Sequence, residues 1–100
     1  MSKKEALDEF LKILREKFKN RIKEVIVFGS YARGDYTEES DIDVLIVGDV
    51  SLDEIVDISV EILLKYGEVI NAIVEKKEEF EAKKSFSFHK TVLKEGIRVL

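Results

Sequence analysis

Leu7, Phe10, Leu11, Leu14 and Phe18 recur at spacings of three and four, the period of one helix face, and predict an amphipathic helix over residues 3–20. Ser2 and Glu5 stand at its start as a capping box, in which each side chain satisfies the other residue's free N–H. The pattern then changes. Val25-Ile26-Val27-Phe28 is an unbroken apolar run, which predicts a central strand over 24–28 buried on both faces. A polar stretch, 29–40, forms a loop with room for a helical turn at 30–33, and a second strand runs over 41–47. Gly48-Asp49 breaks it, and Ser51 with Glu54 makes a second capping box. Leu52, Ile55, Val56, Ile62, Leu63 and Tyr66 then mark the apolar face of a helix that closes at Gly67. A third strand is predicted over 69–75, short helices over 77–84 and 87–94, and, beyond Gly96, a short strand over 97–100. The order α-β-β-α-β-α-(α)-β, without repeats or linkers, predicts an α/β (α+β) fold: a small mixed β-sheet with flanking helices.

Size and charge narrow the function. One hundred residues with 45% hydrophobic content build a single domain, 1–100, around one core. No apolar run approaches the ~20 residues of a membrane span, and Met1–Glu5 lacks the apolar segment of a signal peptide. The chain is therefore expected in the cytoplasm. Zero cysteines exclude disulfides, thiolate metal sites and a cysteine nucleophile. A net charge of −4 argues against sequence-independent nucleic-acid binding, which needs a basic surface. Lysines crowd residues 3–23 and 76–90, but acids are mixed through both stretches, as on solvated helix faces. The abundance of Lys and Glu fits a thermophile.

The chemistry concentrates in Gly29-Ser-Tyr-Ala-Arg-Gly-Asp-Tyr-Thr-Glu-Glu-Ser-Asp-Ile-Asp43. Alternate strand residues share a face, so Asp41 and Asp43 point together while Ile42 and Val44 turn to the core. Two adjacent carboxylates repel unless a cation lies between them, and Mg²⁺ prefers such oxygen ligands. The Gly29-Ser30 turn offers backbone N–H groups and a hydroxyl to phosphate oxygens. Taken alone, the pair of acids reads more readily as a turn cap with a surface acid, and the glycine as a tight turn. Metal ligands beside a phosphate cradle describe a nucleotide site.

An apolar-Gly-Ser followed after ten residues by Asp-apolar-Asp-apolar resembles the signature of the polymerase-β-like nucleotidyltransferases. The small size, Ser-Tyr-Ala-Arg-Gly, Glu-Glu-Ser-Asp-Ile-Asp and the ending Val-Leu-Lys-Glu-Gly-Ile-Arg-Val-Leu are similar to their minimal prokaryotic branch. The likeness covers roughly residues 20–100, and only the motif is specific. It implies the nucleotidyltransferase fold, with Asp41 and Asp43 as catalytic metal ligands and Gly29 and Ser30 on the triphosphate. Arg33 either clamps the triphosphate or pairs with Asp35 or Glu39. Family members carry a third carboxylate on the next strand, and Asn71 falls at its place. An amide oxygen can ligate Mg²⁺ but cannot act as a base. Glu75, on the same face, is about 13 Å away at strand rise, too far to substitute. His89 reads as an ordinary helix residue. Phe80, Phe86 and Phe88 read as helix packing or as a partner surface.

Two functions follow from the resemblance. The first is an Mg²⁺-dependent transferase that moves a nucleoside monophosphate, AMP from ATP, to a hydroxyl. Its acceptor would be a helical HEPN-type partner protein in a toxin–antitoxin system. The second is a nucleotide-binding antitoxin or subunit that acts by stoichiometric contact, which Asn71 favours. A polymerase fragment fits poorly with the acidic charge.

Overall fold

A computed structural model describes residues 2–100. The first helix, α1 (Lys3–Phe18), is closed at its start by the expected capping box: the Ser2 Oγ accepts from the Glu5 N–H at 3.1 Å and Glu5 Oε1 accepts from the Ser2 N–H at 3.3 Å. It stops two residues short of the predicted end because Lys19 takes φ 47°, and residues 19–21 tighten into a 3₁₀ turn. From there the chain enters β1 (Ile22–Phe28), the short α2 (Gly29–Arg33) and β2 (Ile42–Gly48). Then come α3 (Leu52–Tyr66), β3 (Ile70–Glu75), α4 (Lys77–Lys83), α5 (Ser87–Glu95) and β4 (Ile97–Arg98).

The sheet order is β3-β2-β1-β4. β1 runs antiparallel to β2 and to β4, whereas β2 and β3 are parallel, joined through α3 as parallel neighbours require. The sheet is mixed, as expected. Backbone alternation splits its two faces. Val25, Val27, Ile42, Val44 and Ile46 turn to one side and pack with Leu7, Phe10, Leu14 and Phe18 of α1 and Ile55, Ile58 and Ile62 of α3. Ile26, Leu45 and Val47 turn to the other side and meet Phe80 of α4 and Val92 of α5. β1 is thus buried on both faces at Val25–Val27, as its unbroken apolar run predicts.

One helix face differs from expectation. In α3 the core takes Ile55, Ile58 and Ile62, with Tyr66 packed against it as expected, while Leu52, Val56 and Leu63 stay exposed together with Val60 and Leu64. Ile55, Ile58 and Ile62 follow a three-and-four spacing, and Leu52, Val56, Val60 and Leu63 form a neighbouring stripe of the same period. The sheet ends at β3, so α3 has one apolar stripe more than its neighbours can cover. Among the described residues no helix is long and apolar enough to cross a membrane.

Candidate functional site

The C-terminal end of β1 meets the N-terminal ends of β2 and β3 at one rim of the sheet, on the side carrying α4 and α5. Phe28 is the cross-strand partner of Asp43, and Asp43 is in turn the partner of Asn71. Paired residues point the same way, so Asn71, Asp43 and Phe28 form a row across the sheet. Ile42 and Val44 are fully buried on the opposite face, and the alternation through Ile42 sends Asp41 to the side of Asp43. Asp41 itself lies one residue ahead of β2 and is exposed; Asp43 is half-buried.

Gly29 follows Phe28 directly and opens α2. Its φ of 73° lies in the left-handed region that favours glycine. A Cβ there would run into Asp43 Oδ2. The backbone of the Gly-Ser turn therefore rests on the Asp43 carboxylate, a contact that any side chain at position 29 prevents. No side chain caps the start of α2, so its first N–H groups remain available to an incoming acceptor. Ser30 is half-buried in this same turn. Two carboxylates with a backbone cradle against one of them are a donor set suited to a hard divalent cation and to phosphate oxygens.

Asn71 stands where the sequence places it, exposed beside Asp43, and its Nδ2 donates to Asp43 Oδ1 at 3.1 Å. The amide nitrogen faces the carboxylate, so Asn71 must turn its amide over to offer an oxygen to a cation. Among the described residues no group of three or more His, Asp or Glu side chains gathers to hold a metal. Arg33 is paired rather than free: Nε lies 3.4 Å from Asp35 and a terminal nitrogen 3.7 Å from Glu95 of α5. Asp35 was one of its two expected partners, and Glu95 takes the role considered for Glu39. At 44% side-chain exposure these are weak, exchangeable ion pairs.

Three features escaped the sequence reading. Lys3 is buried, and its Nζ donates to the carbonyls of Glu38 (3.0 Å) and Ser40 (2.7 Å) and to the Glu68 carboxylate. It ties α1 to the loop just ahead of Asp41 and to the residues just ahead of β3, where Ile42 N–H donates to the Val69 carbonyl at 2.9 Å. Lysine is unfavourable beside the positive end of a helix dipole, and its place in the first turn of α1 was the available signal. His89 is buried too, with Nε2 at 2.8 and 3.0 Å from the Glu75 carboxylate oxygens and Nδ1 unpartnered. Glu75 alternates with Asn71 and Ile73, on the face covered by α4 and α5, so an acid there had to find a partner. Tyr31, packed against the core and 4.9 Å from Tyr36, has its phenol raised above its usual range, chiefly by burial.

The family model for the nucleotidyltransferase domain matches residues 7–99. The chain belongs to the nucleotidyltransferase family. A Methanocaldococcus jannaschii protein, provisionally named protein adenylyltransferase MJ0604, is 59% identical over 100 residues, spanning 100% of this chain and 99% of its own length. Among solved structures, a toxin–antitoxin complex with AMP-PNP superposes with a TM-score of 0.66 at 19% identity, over 91% of this chain and 69% of that one. The complex of a tri-AMPylated Shewanella oneidensis HEPN toxin with its MNT antitoxin gives 0.60 at 16% identity, over 97% and 71%. At such identities the structural likeness establishes the nucleotidyltransferase fold. The family relation covers both capping-box helices, the Gly29-Ser30 turn and the rim that carries Asp41, Asp43 and Asn71.

Proposed function

We propose that this nucleotidyltransferase domain uses Mg²⁺ to transfer AMP from ATP to a hydroxyl on a HEPN-type partner protein, as the antitoxin of a cytoplasmic toxin–antitoxin pair. The observation that carries the reading is the contact of the Gly29 backbone with the Asp43 carboxylate, which brings phosphate cradle and metal ligand to one point. The provisional name of the M. jannaschii relative supports protein as the acceptor, and the toxin–antitoxin neighbours support the partner.

In this reading Asp41 and Asp43 hold the cation, with the Asn71 amide oxygen as a neutral third donor. A Mg²⁺ ion held there would supply charge neutralisation of the triphosphate and polarisation of its α-phosphoryl group. The Gly29 and Ser30 N–H groups and the Ser30 hydroxyl hold the outer phosphates, and Arg33 can leave Asp35 and Glu95 to join them. The acceptor oxygen bonds to the α-phosphorus as the bond to the bridging oxygen breaks. Pyrophosphate departs with the electron pair, and the hydroxyl proton is released. Asn71 is an amide and cannot take that proton, which favours a second reading: a nucleotide-binding antitoxin that acts by stoichiometric contact.

Calorimetric titration with Mg–ATP tests the site. Wild type should bind, and Asp41→Asn combined with Asp43→Asn should abolish Mg²⁺-dependent binding while the fold persists. Undiminished binding in the double variant sinks the assignment. Transfer of labelled AMP to a co-purified HEPN-type partner separates the two readings: label on the partner supports the enzyme, and a stable unlabelled complex supports the binding antitoxin.

A further inference from the structure

We propose that Phe88 is the stacking surface for the nucleobase of the bound triphosphate, an inference that rests on the reading of Gly29, Asp41 and Asp43 as the phosphate and metal end of the site. Phe28 is the structural link. It is the cross-strand neighbour of Asp43 on one side and precedes Gly29 on the other. The Phe88 ring of α5 meets the Phe28 ring edge-on, with centroids 5.6 Å apart and planes at 86°. The row across the rim therefore continues from Asn71 and Asp43 to Phe28 and ends in an aromatic wall. In this inference the ribose of a nucleotide whose phosphates lie at Gly29 carries its base past Phe28 toward this wall.

Phe88 is 44% exposed at the end of this row. It is nonetheless held. The adjacent His89 is pinned to Glu75 of β3 by contacts of 2.8 and 3.0 Å, and its ring meets Phe88 edge-on at 5.4 Å. The Arg33–Glu95 pair joins α2 to α5 at the same rim. An aromatic ring that is fixed by its neighbours and open to solvent is organised to receive a planar partner at little entropic cost. Base–aromatic stacking is tolerant of base identity because every base presents a π-face. The site should accordingly bind purine triphosphates without strict discrimination by this contact. Protein docking at Phe88 and the still more exposed Phe86 is the competing use of the same surface.

Comparing Mg–ATP with Mg–tripolyphosphate isolates the base, since the second ligand has none. Phe88→Ala should weaken Mg–ATP roughly 5- to 100-fold and leave Mg–tripolyphosphate within about twofold. Phe88→Trp should keep the affinity for ATP. Phe88→Leu, which keeps apolar bulk and guards against a folding defect, should fall near alanine. If both ligands weaken together, Phe88 supports the site as a whole and the stacking role is overturned. If ATP binding is unchanged while the complex with the partner protein dissociates, the ring is a docking contact and the proposal fails, with the phosphate site intact. Wild type that binds neither ligand overturns the underlying site reading, and this inference with it.

Discussion

Along β2, Ile42, Val44 and Ile46 are sealed beneath α1 and α3, whereas on the other face only Leu45 and Val47 are covered and Asp43 stands partly open. The covering elements explain the difference. α1 and α3 are 16 and 15 residues long and span the sheet. α4 and α5, with 7 and 9 residues, cover its middle and reach the rim only at Phe28 and Arg33, leaving Asp43 partly open. Where short helices stop, strand residues facing them can be polar. The candidate site occupies that partly open end, and the sealed face supplies the stability that lets two like-charged carboxylates stand together.

Removing packing from the sealed face should therefore cost the most. Phe10 is fully buried between α1 and the sheet. Phe10→Ala should lose about 3–5 kcal/mol of unfolding free energy, a large share of the 5–15 kcal/mol typical of small domains, and urea denaturation would show it. Asp43→Asn on the open face should leave stability unchanged or slightly raised, because it relieves repulsion with Asp41. Equal losses for the two variants would erase the distinction between the faces.

The two faces were unequally legible in the sequence. Continuous apolar runs and capping boxes marked the strands and both long helices to within two residues, because these signals are local. The Gly29-Ser30 turn and the positions of Asp41, Asp43 and Asn71 were likewise readable from alternation and spacing. What a side chain meets across the fold was not. Nothing within α3 tells Ile55 from Val56, since coverage by the sheet edge decides which stripe is buried. The Glu75–His89 pair and the Phe28–Phe88 contact join residues 14 and 60 positions apart, and only the shared sheet face brings them together. Lys3 looked like one more solvated lysine until its three acceptors were in place.

Lys3 tests whether the open face depends on the sealed one. It belongs to α1, yet its Nζ holds the carbonyls of Glu38 and Ser40, immediately before Asp41. Lys3→Met keeps the stem and removes the donor, leaving two carbonyls and the Glu68 carboxylate unmatched. A loss of about 2 kcal/mol is expected, with Mg–ATP affinity down on the order of tenfold, or 1.4 kcal/mol. Ile58→Val, a core change worth about 1 kcal/mol, should leave affinity at the wild-type level. Wild-type affinity in Lys3→Met would show that the loop finds its place without this latch.

The smallest effect belongs to the cap of α3, on the sealed face and far from the rim. Glu54 Oε1 accepts the Ser51 N–H at 3.0 Å, and Arg21 approaches the same oxygen at 3.0 Å. The Ser51 backbone hydrogen bond first, and the Arg21 guanidinium next, hold its carboxyl below the usual value of 4.5. A carboxyl lowered in the folded state stabilises it above the unfolded value, and that contribution fades as pH falls through the lowered one. Glutamine can still fill the capping-box position, so Glu54→Gln removes the charge alone. Its melting temperature should lie slightly below wild type at pH 7, and the gap should close as pH drops below about 4.5. Ser51→Ala, which removes the reciprocal cap itself, should cost about 1 kcal/mol across that range. Nucleotide affinity should not change in either variant. A gap between Glu54→Gln and wild type that is as wide at pH 3 as at pH 7 would assign the loss to packing of the side chain rather than to its charge.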